Sequence, residues 1–226
     1  DEAVKKYPKG RFLFWTLTTK NVFTGDGLKD ELARMNTAFN SMLKYKKVSK
    51  YLLGYLKATE VTVNKKDGSY NQHLHILVFV KSTYFSGKID NYISQAELTD
   101  FWKKALKIDY TPVVNVKAVK PKATEKEKGV IGAVYETAKY PVKSIDYLTD
   151  NHEENLQRVD DLEKGLKRKR LISFGGIFKE IRKELQLDDV ETGDLIKTSS
   201  EEDEELSTGQ IIVARWNWER KNYFID

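Results

Sequence analysis

The stretch from Tyr51 to Val80 constrains the fold most. Residues Tyr51–Val63 read as one long strand. Asn64-Lys65-Lys66-Asp67-Gly68-Ser69 is a turn cluster with an Asp-Gly signal, and His73–Val80 reads as the returning strand. Strands joined this closely run antiparallel, because a parallel crossover needs a dozen or more residues. The flanks fit the same sheet. Arg11–Thr18 is aromatic and β-branched, and Pro112–Val119 reads as a fourth short strand. Helices interleave. Asp26 is a candidate cap for a helix carrying Leu28, Leu32, Met35, Phe39 and Leu43, and Ser94 with Glu97 forms a capping-box pattern ahead of Leu98, Phe101, Trp102, Ala105 and Leu106. The reading is an antiparallel α+β sheet, not a doubly wound parallel one.

Further along, a helix is placed near residues 130–140, ended by Pro141, and a charged helix over 155–170. Gly175-Gly176 break the pattern, a short amphipathic helix covers 178–187, and residues 210–216 alternate as a last strand. There are no internal repeats.

Charge and composition narrow the function classes. The 226 residues hold no cysteine, which excludes disulfides, thiolate zinc sites and cysteine nucleophiles and suits the cytoplasm. No run of roughly 18 uncharged apolar residues suggests a membrane helix. Setting aside the acidic run Glu201–Glu205, 39 basic residues face 29 acidic ones, a balance that favours a polyanionic partner, nucleic acid above all. The start is charged and lacks a signal-peptide core, and it opens on Asp1 without an initiator Met, so a fragment or a trimmed N-terminus is expected.

Two of the three histidines, His73 and His75, stand two apart on one strand and so point to one face. Imidazoles so placed can share a metal ion. The bland alternative is two half-buried polar residues at a strand edge. Glu60 interrupts an otherwise apolar strand, and pairing across the hairpin brings it toward the histidines. A charge midway along a buried strand costs several kcal/mol unless it is paired or coordinated. Two imidazoles and a carboxylate leave open positions for water or a phosphate oxygen, a donor set suited to Mn²⁺ or Mg²⁺ acting on a phosphodiester. Solvent exposure of Glu60 is the alternative.

A second constellation is Glu136 and Tyr140, four apart on one helical face. A tyrosine that attacks phosphorus exchanges one ester for another. Its free pKa of about 10 makes it a weak nucleophile that needs charge stabilisation on the phosphate. Glu136 is a candidate general base for a water or for the phenol. Core packing would give the same spacing.

Together these residues resemble the plasmid rolling-circle Rep proteins of Gram-positive bacteria, the single-tyrosine branch of the HUH endonuclease superfamily. The likeness rests on Phe12-Leu13-Phe14-Trp15-Thr16-Leu17-Thr18, on Asn71-Gln72-His73-Leu74-His75-Ile76-Leu77 and on residues 133–143, with support from 110–114 and 171–176. The resemblance implies a central five-stranded antiparallel sheet with helices on its faces and a C-terminal helical and strand extension. It divides the chain into a nicking and strand-transfer core, 1–150, and a helical and acidic-loop extension, 151–226, packed on it. It implies origin-specific nicking with Tyr140 as nucleophile, a 5′-phosphotyrosine intermediate and a free 3′ hydroxyl. Glu136 would activate the terminating water, His73 and His75 would be metal ligands with Glu60 as the third, and Lys143 is a candidate phosphate contact. The partners implied are plasmid origin DNA, single-stranded or extruded as a hairpin, and a host helicase. The oligomeric state stays open. Relatives usually carry a Cys-rich, zinc-binding-like segment ahead of the first motif; this chain has no cysteine and opens just upstream of that motif, so the nicking chemistry is carried over, and whether that segment is needed for origin recognition stays open. The alternatives are a relaxase or transposase of the same superfamily and a non-catalytic origin-binding regulator.

Two basic runs, Lys44-Lys46-Lys47-Lys50 and Lys167-Arg168-Lys169-Arg170, suit phosphate contacts or solvated helix faces equally. Trp216, Trp218 and Tyr223 suit base stacking or core packing. Residues 201–205 read as a loop, and His152 as an exposed loop residue.

Overall fold

The computed structural model describes residues 2–86, 91–119, 149–185, 214–217 and 222–225. The elements are α1 (Glu2–Lys6), β1 (Arg11–Thr18), α2 (Gly25–Met42), α3 (Lys46–Ser49), β2 (Leu52–Val63), β3 (Tyr70–Val80), a 3₁₀ turn (Ser82–Phe85), α4 (Gln95–Leu106) and β4 (Val114–Ala118). They continue with α5 (His152–Leu166), β5 (Ile172–Gly176), α6 (Ile177–Glu184), β6 (Ala214–Asn217) and β7 (Asn222–Ile225).

Five strands form one antiparallel sheet in the order β4-β1-β3-β2-β5, with the hairpin strand β3 at its centre. The hairpin turn carries Gly68 at φ +74°, the left-handed conformation that the Asp-Gly signal anticipates. Alternation then divides the sheet. Leu13, Trp15, Leu17, Leu74, Ile76 and Val78 pack against α2, α4 and Leu162 of α5. Trp102 of α4 is wholly buried there and donates Nε1–H to the Thr18 carbonyl at 2.8 Å. Burial of each such large side chain contributes roughly 1.5–3 kcal/mol. On the opposite face Phe12, Leu56, Leu77 and Phe79 meet Ala3 of α1 with Ile177 and Ile181 of α6. This smaller core covers one end of that face.

Helix starts follow local chemistry. The capping box of α4 is present as anticipated, with Glu97 N–H donating to Ser94 Oγ and Ser94 N–H to Glu97 Oε2. In α2 the cap is Thr24, not Asp26. Thr24 has extended backbone angles and accepts from Gly27 N–H, while Asp26 sits in the first turn, where its charge favours the helix dipole. The buried Asp161 of α5 accepts from Gly25 N–H at 2.7 Å and from the Tyr70 hydroxyl at 2.9 Å, tying α5 to the start of α2 and to β3. His152 is the exposed first residue of α5 rather than a loop residue.

By spatial clustering α5, β5 and α6 belong with the sheet. The compact units are Asp1–Gln186 and Leu187–Asp226. Gly175 and Gly176, read from sequence as a break, lie within β5. A Cβ on Gly175 would stand 2.0 Å from Tyr55 Cε1, and one on Gly176, at φ +56°, 2.3 Å from the Leu53 carbonyl oxygen. The glycines let β5 lie flat against β2. In the second unit β6 and β7 pair antiparallel with Trp216 opposite Tyr223, so the described part of the strand expected at 210–216 has a partner, residues 210–213 lying outside the described residues. The helix expected near 130–140, Trp218 and the acidic run 201–205 lie outside the described residues.

Candidate metal centre

The pairing of β2 with β3 sets Glu60 directly opposite His73 and Ala58 opposite His75. Because side chains alternate, Glu60, His73 and His75 share the face that α1 and α6 cover only in part. Glu60 Oε2 lies 2.9 Å from His73 Nε2 and 2.8 Å from His75 Nε2. The three side chains are 13–18% exposed, and the imidazoles meet edge to face with centroids 4.7 Å apart. Hydrogen bonds from His73, then His75, hold the Glu60 carboxyl well below the usual carboxylate range, against the opposing effect of burial. It is therefore an acceptor only, so each ring donates Nε2–H to it. His75 Nδ1 is then free to accept from Thr16 Oγ1, 3.3 Å away on β1, and Phe14 tilts over the same ring at 5.3 Å. His73 Nδ1 is buried and finds no hydrogen-bond partner among the described residues.

The donor set fits a divalent cation. One ligand atom from each of Glu60, His73 and His75 lies within 4.8 Å of the other two. Donors held about 2.1 Å from one ion at right angles stand roughly 3 Å apart, close to the separations found. Two nitrogens and one oxygen fill half of an octahedral shell, and the partly open face leaves access to the rest.

The metal triad read from sequence is thus assembled in space. Tyr140, Glu136 and Lys143 lie outside the described residues. Sequence alone places Thr16 only within a strand motif; its position beside His75 follows from the β1–β3 register, which pairs the two residues directly.

An antiparallel five-stranded α+β sheet, with a His-x-His pair and an acid side by side on its two hairpin strands, is consistent with the HUH endonuclease-like fold. The comparisons with known proteins then give the family. The family model described as "Replication protein" matches residues 1–224. A "Replication protein" of Staphylococcus aureus is 53% identical over 224 residues, covering 99% of this chain and 94% of that one. A "Protein rep" of Lactiplantibacillus plantarum is 50% identical, covering 99% and 71%, and one of Streptococcus pneumoniae 49%, covering 100% and 67%. No solved structure matches. The chain belongs to the replication-protein family and is a plasmid Rep initiator of the Gram-positive type. No helix of the described residues is long and apolar enough to cross a membrane.

Proposed function

We propose that this Rep protein initiates rolling-circle replication by nicking one strand of plasmid origin DNA and holding the 5′ end as a phosphotyrosine. The observation that carries the reading is the convergence of Glu60 Oε2 with both imidazole Nε2 atoms on one sheet face, in a chain of the replication-protein family. Glu60, His73 and His75 would hold Mn²⁺ or Mg²⁺, which when bound supplies charge stabilisation to a phosphodiester. The Tyr140 oxygen attacks the scissile phosphorus; the phosphorus–O3′ bond breaks, and O3′ takes a proton to become the primer hydroxyl. The bond formed is an ester like the bond it replaces, so the exchange is close to thermoneutral. Glu136 takes the proton of the water that later releases the 5′ end, and Lys143 contacts phosphate. The substrate is single-stranded or hairpin origin DNA in the cytoplasm, and a host helicase is the expected partner in strand separation.

The test is a labelled single-stranded origin oligonucleotide incubated with the protein and Mn²⁺, the covalent adduct being resolved on a denaturing gel. Wild type forms the adduct and Tyr140→Phe does not; Glu136→Ala forms it and releases it slowly to water. Adduct formation by Tyr140→Phe removes the nucleophile assignment. Wild-type protein that binds the oligonucleotide but never becomes attached favours a non-catalytic origin-binding role.

A further inference from the structure

We infer that the basic turn Lys167-Arg168-Lys169-Arg170 is a phosphate-backbone contact for single-stranded DNA, flanking the metal triad, with Arg170 at the phosphate next to the one held there. The inference rests on the proposed nicking reading for which phosphate is cut; the contact itself stands on the register of β5.

In that register Ala58 faces Ile172, and the ladder runs one residue further through Thr59 N–H donating to the Leu171 carbonyl at 2.7 Å. Arg170 follows directly before Leu171, and the same register continued by one residue would bring it beside Glu60. Facing residues of an antiparallel pair stand about 5 Å apart at Cα and project to one side of the sheet. The row across the sheet reads Glu60, His73, Thr18, and Arg170 lies two residues before Ile172, the first residue of β5, at the Glu60 end of that row. The preceding residues are held in a tight turn. Lys169 N–H donates to the Leu166 carbonyl at 2.9 Å, and Arg168 takes φ +57°, a left-handed conformation that non-glycine residues adopt at a cost. Lys167, Arg168 and Arg170 are exposed, and the ion pair from Lys167 to Glu163, at 3.8 Å, is two-thirds solvent-exposed and weak.

The other basic run is placed elsewhere. Lys44, Lys46, Lys47 and Lys50 precede β2 at its far end; from Leu52 to Glu60 is eight residues of strand, on the order of 26 Å. Lys47 is bound to Glu97 at 2.6 Å, and Lys50 Nζ sits over the Tyr51 ring. Two runs that composition cannot tell apart are thus separated by the fold, and one of them borders the triad. A guanidinium there can grip a phosphate with two parallel N–H bonds. Such contacts position a strand without reading its sequence.

The test uses the full chain and fluorescein-labelled 12-residue single-stranded oligonucleotides, one of origin sequence and one scrambled, with anisotropy measured in EDTA over a range of NaCl. The triple variant Arg168→Gln/Lys169→Gln/Arg170→Gln is compared with Lys44→Gln/Lys46→Gln/Lys50→Gln, which removes the same charge. The turn variant is expected to bind both oligonucleotides about tenfold or more weaker, with a salt slope shallower by ~0.7 for each phosphate that no longer meets a cationic side chain. The control variant is expected to stay within about twofold of wild type, and Arg170→Lys to recover part of the affinity that Arg170→Gln removes. Melting temperatures within a few degrees of wild type exclude misfolding as the cause. Equal weakening by the two triple variants, or wild-type binding by the turn variant, overturns the inference. The Mn²⁺ adduct assay separates the two readings. A wild type that forms no adduct while the turn still governs binding sinks the nicking and leaves the contact. A turn variant that binds and reacts like wild type sinks the contact and leaves the nicking.

Discussion

Glu60 and His73 face each other across the β2–β3 pairing, with Oε2 and Nε2 2.9 Å apart, so the carboxylate's position is set by hairpin register, not by a flexible loop. Removing that carboxylate should cost cation affinity without unfolding the sheet. Glu60→Ala is expected to weaken Mn²⁺ binding tenfold or more by titration calorimetry, with circular dichroism unchanged. Both imidazoles are part-exposed, so the loss of their acceptor is compensated by water. Unchanged Mn²⁺ affinity would take Glu60 out of the ligand set.

Thr16 should matter through His75. A ring that ligates through Nε2 carries its remaining proton on Nδ1, and Thr16 Oγ1 at 3.3 Å then becomes the acceptor that fixes the ring's orientation. Thr16→Val keeps the shape and deletes that acceptor, and is expected to lower Mn²⁺ affinity about tenfold. Thr16→Ser, which restores the oxygen, should recover most of it. Loss in Thr16→Val without recovery in Thr16→Ser would point to strand packing instead.

These sites show what the sequence makes legible. The hairpin and its triad can be read because three signals agree: a turn cluster with Asp-Gly, alternation on both sides, and three metal-ligand side chains placed to share one face. β5 cannot, because two adjacent glycines signal a break, and only the close approach of Tyr55 and Leu53 explains why a strand needs them. The α2 cap lies two residues before the position that sequence favours, because Thr24 and Asp26 are both capping types and backbone conformation decides between them. The two basic runs look equivalent in sequence because nearness to the triad depends on a long-range strand pairing that no local pattern encodes.

The requirement for glycine at position 176 is testable. Gly176→Ala places a Cβ 2.3 Å from the Leu53 carbonyl oxygen and 2.9 Å from Gly54 Cα, both backbone atoms, at φ +56°. Backbone cannot yield cheaply, so urea unfolding should show a loss of about 3 kcal/mol or more. Gly68→Ala is the control. Gly68 has φ +74° and nothing within 4 Å of the added carbon, so only the left-handed penalty of about 1–2 kcal/mol applies. Equal losses at the two positions would mean that conformation, not the closeness of β5 to β2, sets the requirement for glycine.

Lys57 offers a prediction in pH. It is 6% exposed on the α2 face of β2, its ammonium donates to Asn36 Oδ1 and lies 5.5 Å from the Phe39 ring centroid. Burial pushes its pKa down from 10.5 to about 8. Between those two values the unfolded chain holds the proton and the folded one does not, so stability rises with pH across that window. Below pH 8 both states are charged and the full penalty, on the order of 3 kcal/mol, is in force. The double variant Lys57→Met/Asn36→Leu removes the charge together with the acceptor that its loss would leave unsatisfied. It is expected to be more stable than wild type at pH 7, by urea unfolding, with the gap closing as pH approaches 10.5. A gap that stays constant from pH 7 to 10.5 would show that Lys57 keeps its proton in the folded chain throughout that range.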